Sequence, residues 1–129
     1  MKHKTDQQWQ TELSADDYRI CRQHGTEPAF SGIYESCKTV GTYLCKCCNT
    51  PLFESTTKYD SGSGWPSFWQ SINNDNVKQI RDASHGMTRI EVLCAHCDCH
   101  LGHLFEDGPE PSGLRYCINS ASLTLSSKD

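Results

Sequence analysis

Two copies of Cys-x-x-Cys narrow the folding options of this chain more than any other feature: Cys45-Lys46-Cys47-Cys48 and Cys94-Ala95-His96-Cys97. This spacing places two sulfurs on one tight turn facing a common ion, and two such turns furnish four thiolates in a tetrahedron. A closed four-sulfur site suits a structural Zn2+, and nothing else in the sequence points to a redox metal. The predicted ligands are Cys45, Cys48, Cys94 and Cys97. The stretch between the pairs is longer than in compact zinc ribbons, so the ion would tie two distant hairpins together, a useful staple for a small chain. Cys47 reads as a spare thiol, because Cys-x-Cys is the less usual knuckle spacing. Cys99 and His96 read as structural or exposed neighbours.

There are nine cysteines among 129 residues. An odd number argues against a disulfide framework and for metal ligands plus a reactive thiol. The opening MKHKTDQQWQ has charge but no apolar stretch behind it, and no apolar run approaches the ~18 residues that span a bilayer. Membrane spanning and secretion are disfavoured, and a reducing, cytoplasmic setting is expected. Twelve Lys and Arg against 16 Asp and Glu leave a net charge of -4, a poor basis for holding nucleic acid phosphate. The length fits one domain over 1–129.

Ser14-Ala15-Asp16-Asp17 ahead of Tyr18 and Cys21 predicts a short capped helix stopped by Gly25, preceded by a helical turn around Gln7 to Leu13. From Gly41 the texture changes to short β-type runs between Gly, Pro, Asn and Asp. They are Thr42–Lys46, Lys58–Asp60, Val77–Asp82, Thr88–Leu93, Leu101–Phe105, Leu114–Asn119 and Ala121–Leu125. Arg89 to Val92 alternates polar and apolar, as an antiparallel strand with one solvated face requires. Gly62, Gly64 and Pro66, and again Gly108, Pro109, Pro111 and Gly113, mark two turn-rich loops.

A closed metal site performs no chemistry, so reactivity is sought among the remaining thiols, Cys21, Cys37, Cys47, Cys99 and Cys117. Strand alternation puts Arg115, Cys117 and Asn119 on one face, with a cation and an amide beside the Cys117 sulfur. A neighbouring positive charge favours thiolate, the reactive form. His100 and His103 offer acid or base groups, and Asp107 a carboxylate that orients an imidazole or Arg115. The glycines before Trp65 permit a backbone that presents its indole as one wall of an apolar pocket.

Taken together, Gly-x-Gly-Trp-Pro-Ser-Phe, the paired Cys-x-x-Cys units, His-Leu-Gly-His-Leu-Phe-x-Asp-Gly-Pro and Gly-Leu-Arg-Tyr-Cys-Ile-Asn-Ser-Ala-Ser-Leu resemble the methionine-R-sulfoxide reductases of the B class over about 24–125. The resemblance implies a mainly β, tent-like fold of two antiparallel sheets with short N-terminal helices, and a structural zinc on the side away from the active site. It implies reduction of the R epimer of methionine sulfoxide, mainly in peptides and proteins, by a monomer that thioredoxin regenerates. Carried onto this chain, Cys117 is the nucleophile, and His103 is the first proton donor, assisted by His100 and Asn119. Arg115 and Asp107 tune the sulfur, while Trp65 and Phe105 form the wall that receives the substrate methyl. The alternative is a zinc module that binds peptides through Trp65.

The chain departs from a common form of the pattern at one place. Many members carry a resolving cysteine two residues before the tryptophan, where this chain has Ser63. Three readings stand: an introduced cysteine-to-serine exchange, a natural variant that uses Cys21, Cys37, Cys47 or Cys99, or direct reduction of the sulfenic acid.

Overall fold

A computed structural model of the chain describes residues 5–35, 37–82, 89–110 and 112–127. Two short helices come first, α1 (Asp6–Glu12) and α2 (Ala15–Arg22). Thr5 caps α1 in a reciprocal capping box with Gln8, and, as the sequence predicts for Ser14, its hydroxyl accepts from the Asp17 N–H to cap α2. The stop of α2 differs in detail. The left-handed residue is His24 (φ 59), while the Gly25 N–H reaches back to the Arg19 carbonyl at 2.9 Å. That bond spans one residue more than the longer closing bond of a Schellman turn, and His24 stands in the left-handed position that glycine usually takes. The His24 ring is tied to the Glu91 carboxylate, which holds the residue in this conformation.

Among the described residues nine strands follow: β1 (Gly41–Cys45), β2 (Pro51–Glu54), β3 (Lys58–Tyr59), β4 (Ser67–Phe68), β5 (Val77–Asp82), β6 (Arg89–Cys94), β7 (His100–Phe105), β8 (Arg115–Ile118) and β9 (Leu123–Ser127). They form two antiparallel sheets, a three-stranded one in the order β2-β1-β9 and a six-stranded one in the order β3-β4-β8-β7-β6-β5. The mainly β, two-sheet expectation is met. β2 and β4 escaped the sequence reading: one opens on a proline, and the other is two residues long inside an aromatic loop. The last strand begins later than the predicted Ala121, because Ser120–Ser122 is a 3-10 turn whose first amides are bound by Glu27. Of the predicted strand and loop residues, Thr88 and Pro111 lie outside the described residues. Among the described residues, no helix is long and apolar enough to cross a membrane.

The sheets meet through an aromatic cluster. Tyr43 and Phe53 come from the small sheet, Phe68 and Tyr116 from the large one, and all four are buried. Phe53 stacks on Phe68 with ring centroids 4.4 Å apart, and Tyr43 meets the same ring edge-on at 5.2 Å. Such pairs add about 0.5–1.5 kcal/mol each to what area burial supplies. Because side chains alternate along β8, anchoring Tyr116 in this core turns its neighbours Arg115 and Cys117 to the opposite face.

β7 and β8 approach closely beside that face. A Cβ on Gly102 would overlap the Cys117 carbonyl oxygen, which is backbone and cannot swing away. Gly102→Ala should therefore destabilise the fold by about 1–3 kcal/mol. Thermal melting checks this; an alanine variant with unchanged stability would contradict the tight approach.

Candidate active site

The two cysteine turns repeat one geometry. The Asn49 N–H donates to the Cys45 carbonyl at 2.8 Å, and the Asp98 N–H to the Cys94 carbonyl at 2.9 Å. Asn49 and Asp98 both have positive φ, 63 and 64, a conformation that asparagine and aspartate tolerate better than most residues. Each turn thus presents its two sulfurs on one side. Cys45, Cys48, Cys94 and Cys97 have their sulfurs all within 4.8 Å of one another, with Cys45 and Cys97 at 3.6 Å and Cys48 and Cys94 at 3.5 Å. A tetrahedral ion with bonds of about 2.3 Å sets sulfurs about 3.8 Å apart, so the four-sulfur cage fits a zinc-sized thiophilic ion. Cys45 ends β1 and Cys94 ends β6, so the cage clips one sheet to the other. Cys47 stands outside this set, as expected. His96 is exposed and bonds Asn76, whereas Cys99 is wholly buried.

Cys117 occupies a different region. It pairs with His103 on β7 and with Ser67 on β4, two strands from β6 and about 10 Å down the strand direction from Cys94. A cavity of about 140 Å³ is lined by Cys117, Trp65, His103, Phe105 and Asn119, together with Thr26, Arg89 and Gly102. The Arg115 Nη1 donates to the Cys117 sulfur at 3.3 Å, while Nε and Nη2 grip the Asp107 carboxylate at 2.8 and 3.1 Å. These bonds hold the Asp107 carboxyl below its usual range and raise Arg115 above its own. The guanidinium also lies 4.4 Å from the Phe105 ring centre. One cation is fixed from two sides with a remaining N–H aimed at sulfur.

The other predicted residues sort into wall and support. Trp65 stands on a loop in which Gly62 and Gly64 take positive φ, 76 and 95. Its indole N–H donates to the Glu27 carbonyl at 2.9 Å. Asn119 is buried, accepting from the Glu27 N–H at 3.0 Å and donating to the Leu101 carbonyl at 3.1 Å. His100 does not line the cavity. It is buried behind His103, with ring centres 5.6 Å apart, and its Nδ1 meets the Glu91 carboxylate at 2.6 Å. That contact places the Nδ1 proton toward the carboxylate and fixes the ring.

Sequence reasoning passed over Glu27, which organises much of this region. Its carboxylate accepts from the Ser120 and Ala121 N–H groups at 2.9 and 3.0 Å, and its backbone holds both Trp65 and Asn119. Glu27 sits between Thr26 and Pro28 in the least patterned third of the chain, where an isolated acid gives no periodic signal. Glu91 was missed because it occupies a polar place in an alternating strand and so resembles a solvated residue; it is in fact buried.

Comparison with known proteins decides what this arrangement belongs to. The SelR domain model matches residues 13–127. The chain belongs to the methionine sulfoxide reductase B family. A peptide methionine sulfoxide reductase MsrB from Acinetobacter baylyi is 61% identical over 123 residues, covering 95% of this chain and 88% of that protein. One from Saccharophagus degradans is 62% identical over 122 residues, covering 95% and 91%. Membership makes the chain an oxidoreductase of the methionine sulfoxide reductase class. Among solved structures, the Mis18 'Yippee-like' domain shares the fold, with a TM-score of 0.55 at 14% identity over 70% of this chain and 98% of that one.

Ser63, where the resemblance leads one to expect a resolving cysteine, lies beside Cys117. Its Oγ is 3.4 Å from the Cys117 sulfur and 2.8 Å from the Ser61 hydroxyl. Of the other non-cage thiols, Cys21, Cys47 and Cys99 are grouped together beside the metal cage. Cys37 stands apart from them, half-buried on a cavity of about 420 Å³ that also contains Lys58, Tyr59 and Asp60. Tyr59 and Asp60 are shared with the cavity that reaches Ser63, Asp107 and Arg115. Burial raises the Cys37 thiol, but its polar contacts with Thr39 and the charge of Lys58 outweigh it and bring the thiol below its ordinary value.

Proposed function

We propose that the chain reduces the R epimer of methionine sulfoxide in peptides and proteins, with Cys117 as nucleophile. The observation that carries this reading is the cavity where the Cys117 sulfur, bonded by Arg115 at 3.3 Å, meets Trp65 and His103. The Cys117 thiolate bonds to the sulfoxide sulfur as the sulfoxide oxygen takes up a proton. The oxygen then passes to Cys117 as its bond to the substrate sulfur and the new S–S bond both break, which releases the thioether and leaves Cys117 as sulfenic acid. His103 is the proton donor, held from behind by His100. Asn119, with one amide hydrogen committed to Leu101, has a second for the developing oxyanion. Trp65 and Phe105 receive the ε-methyl, and Arg115 with Asp107 sets the field at sulfur. Separated R and S sulfoxide peptides, reduced with dithiothreitol, test the assignment. The R epimer should be consumed at least about 100-fold faster, a difference of about 2.7 kcal/mol in barrier; equal rates would overturn it.

We assign a structural Zn2+ to Cys45, Cys48, Cys94 and Cys97, a closed set that leaves no place for water and so no part in turnover. The chain would act as one monomeric domain over 1–129 in a reducing, cytoplasmic compartment, with thioredoxin as reductant. Cys37 is the best placed resolver, since its cavity shares Tyr59 and Asp60 with the one that reaches Ser63 and its thiol is shifted toward the reactive form. Cys37→Ser should cut thioredoxin-dependent turnover at least about tenfold while leaving dithiothreitol-dependent turnover intact. Ser63→Cys added to that variant should restore the thioredoxin rate. Unchanged thioredoxin kinetics in Cys37→Ser would assign regeneration to direct reduction of the sulfenic acid.

A further inference from the structure

The metal cage has an unassigned neighbour. The sulfurs of Cys21, Cys47 and Cys99 lie within 4.8 Å of one another, although these residues come from α2, the turn after β1 and the turn before β7. Cys21 and Cys99 are 0% exposed, and Cys47 is half-buried, which leaves an approach from its side. We propose that these three cysteines form a second metal site that takes a thiophilic monovalent cation of the copper(I) class in trigonal coordination.

The donor set selects the ion. Three sulfurs without carboxylate or imidazole exclude hard cations such as Ca2+ and Mg2+, which require oxygen. Zn2+ seeks four protein donors in a structural site, and this trio supplies three. A d10 monovalent ion is content with three thiolates. At a bond of about 2.3 Å, a trigonal site sets its sulfurs about 4.0 Å apart, within the spread of this trio. Before loading, Cys21 and Cys99 donate to the Ala121 and His100 carbonyls, each at 3.6 Å, so the site can stay formed while empty. A counter-charge is also present. Arg22 is anchored by its Nη1 on the Cys97 carbonyl at 2.8 Å, and its guanidinium faces the Cys47, Cys97 and Cys99 sulfurs beneath the Trp9 ring. The nearest competing sulfurs are those of the zinc cage, so the test must read both metals.

Protein verified to hold one zinc per chain, reduced with a phosphine and kept anaerobic, is titrated with copper(I) supplied as its bicinchoninate complex. The expected result is one copper bound per chain with zinc retained, accompanied by a copper–thiolate charge-transfer band. In the doubly apolar variant Cys21→Val with Cys99→Ala, copper affinity should fall at least tenfold with zinc content unchanged. Cys47→Ser, at the half-buried member, provides the same readout should the double variant fail to fold. Release of zinc by the first equivalent of copper, undiminished copper affinity in the variants, no copper binding, or a second zinc taken up in preference to copper would each overturn the proposal.

Discussion

Cys117→Ser should abolish release of methionine from an R-sulfoxide peptide, a loss of at least about 1,000-fold, or about 4 kcal/mol in barrier. The reason lies in the atom. A serine hydroxyl of nearly the same size would still accept from Arg115 and fill the wall facing Trp65, but it is not ionised near neutral pH and cannot carry the oxygen as a sulfenic acid. The fold should be indifferent, because Cys117 is only half-buried and its neighbour Tyr116 supplies the core anchor. The diagnostic result is therefore a split: unchanged melting temperature, unchanged zinc, and no product under dithiothreitol. Full activity in this variant would refute the assignment of the nucleophile.

Cys94→Ser, or stripping of the metal by a chelator, should act in the opposite sense, through the fold. Cys94 is buried at the end of β6, and its turn and that of Cys45 are the ends of two different sheets. Structural zinc in small domains contributes about 10–16 kcal/mol on binding, comparable with the whole stability of a typical domain at about 5–15 kcal/mol. Loss of the ion should lower the melting temperature by more than about 15 °C or remove the cooperative transition altogether. Calorimetry beside metal analysis checks this, and a stable protein after verified zinc loss would contradict the structural role.

The four-cysteine cage and the Arg115–Cys117 contact were legible in the sequence because both are written in local spacing. Two residues between cysteines define a knuckle, and alternation along a five-residue stretch puts Arg115 beside Cys117. The support was not legible for the same reason. Glu27 acts on Ser120 and Ala121, more than 90 residues away, and Glu91 binds His24 and His100 from a strand whose pattern reads as solvated. Neither relation has a period. His100 shows the intermediate case: its type and spacing suggested a proton donor, yet burial against Glu91 sets it behind His103. The cysteine trio beside the cage is likewise visible only once α2 is docked on the sheets.

The Glu27 strap has a consequence for how this protein tolerates change. One carboxylate and its peptide group tether the indole wall and the Asn119–Ala121 run that leads into β9, so two distant chain segments share a single moor. Deletions or fusions that unseat residues 24–34 would leave both sheets and the zinc clip standing while the pocket comes apart. A variant altered in this segment that still melts cooperatively is thus no guarantee of a working one.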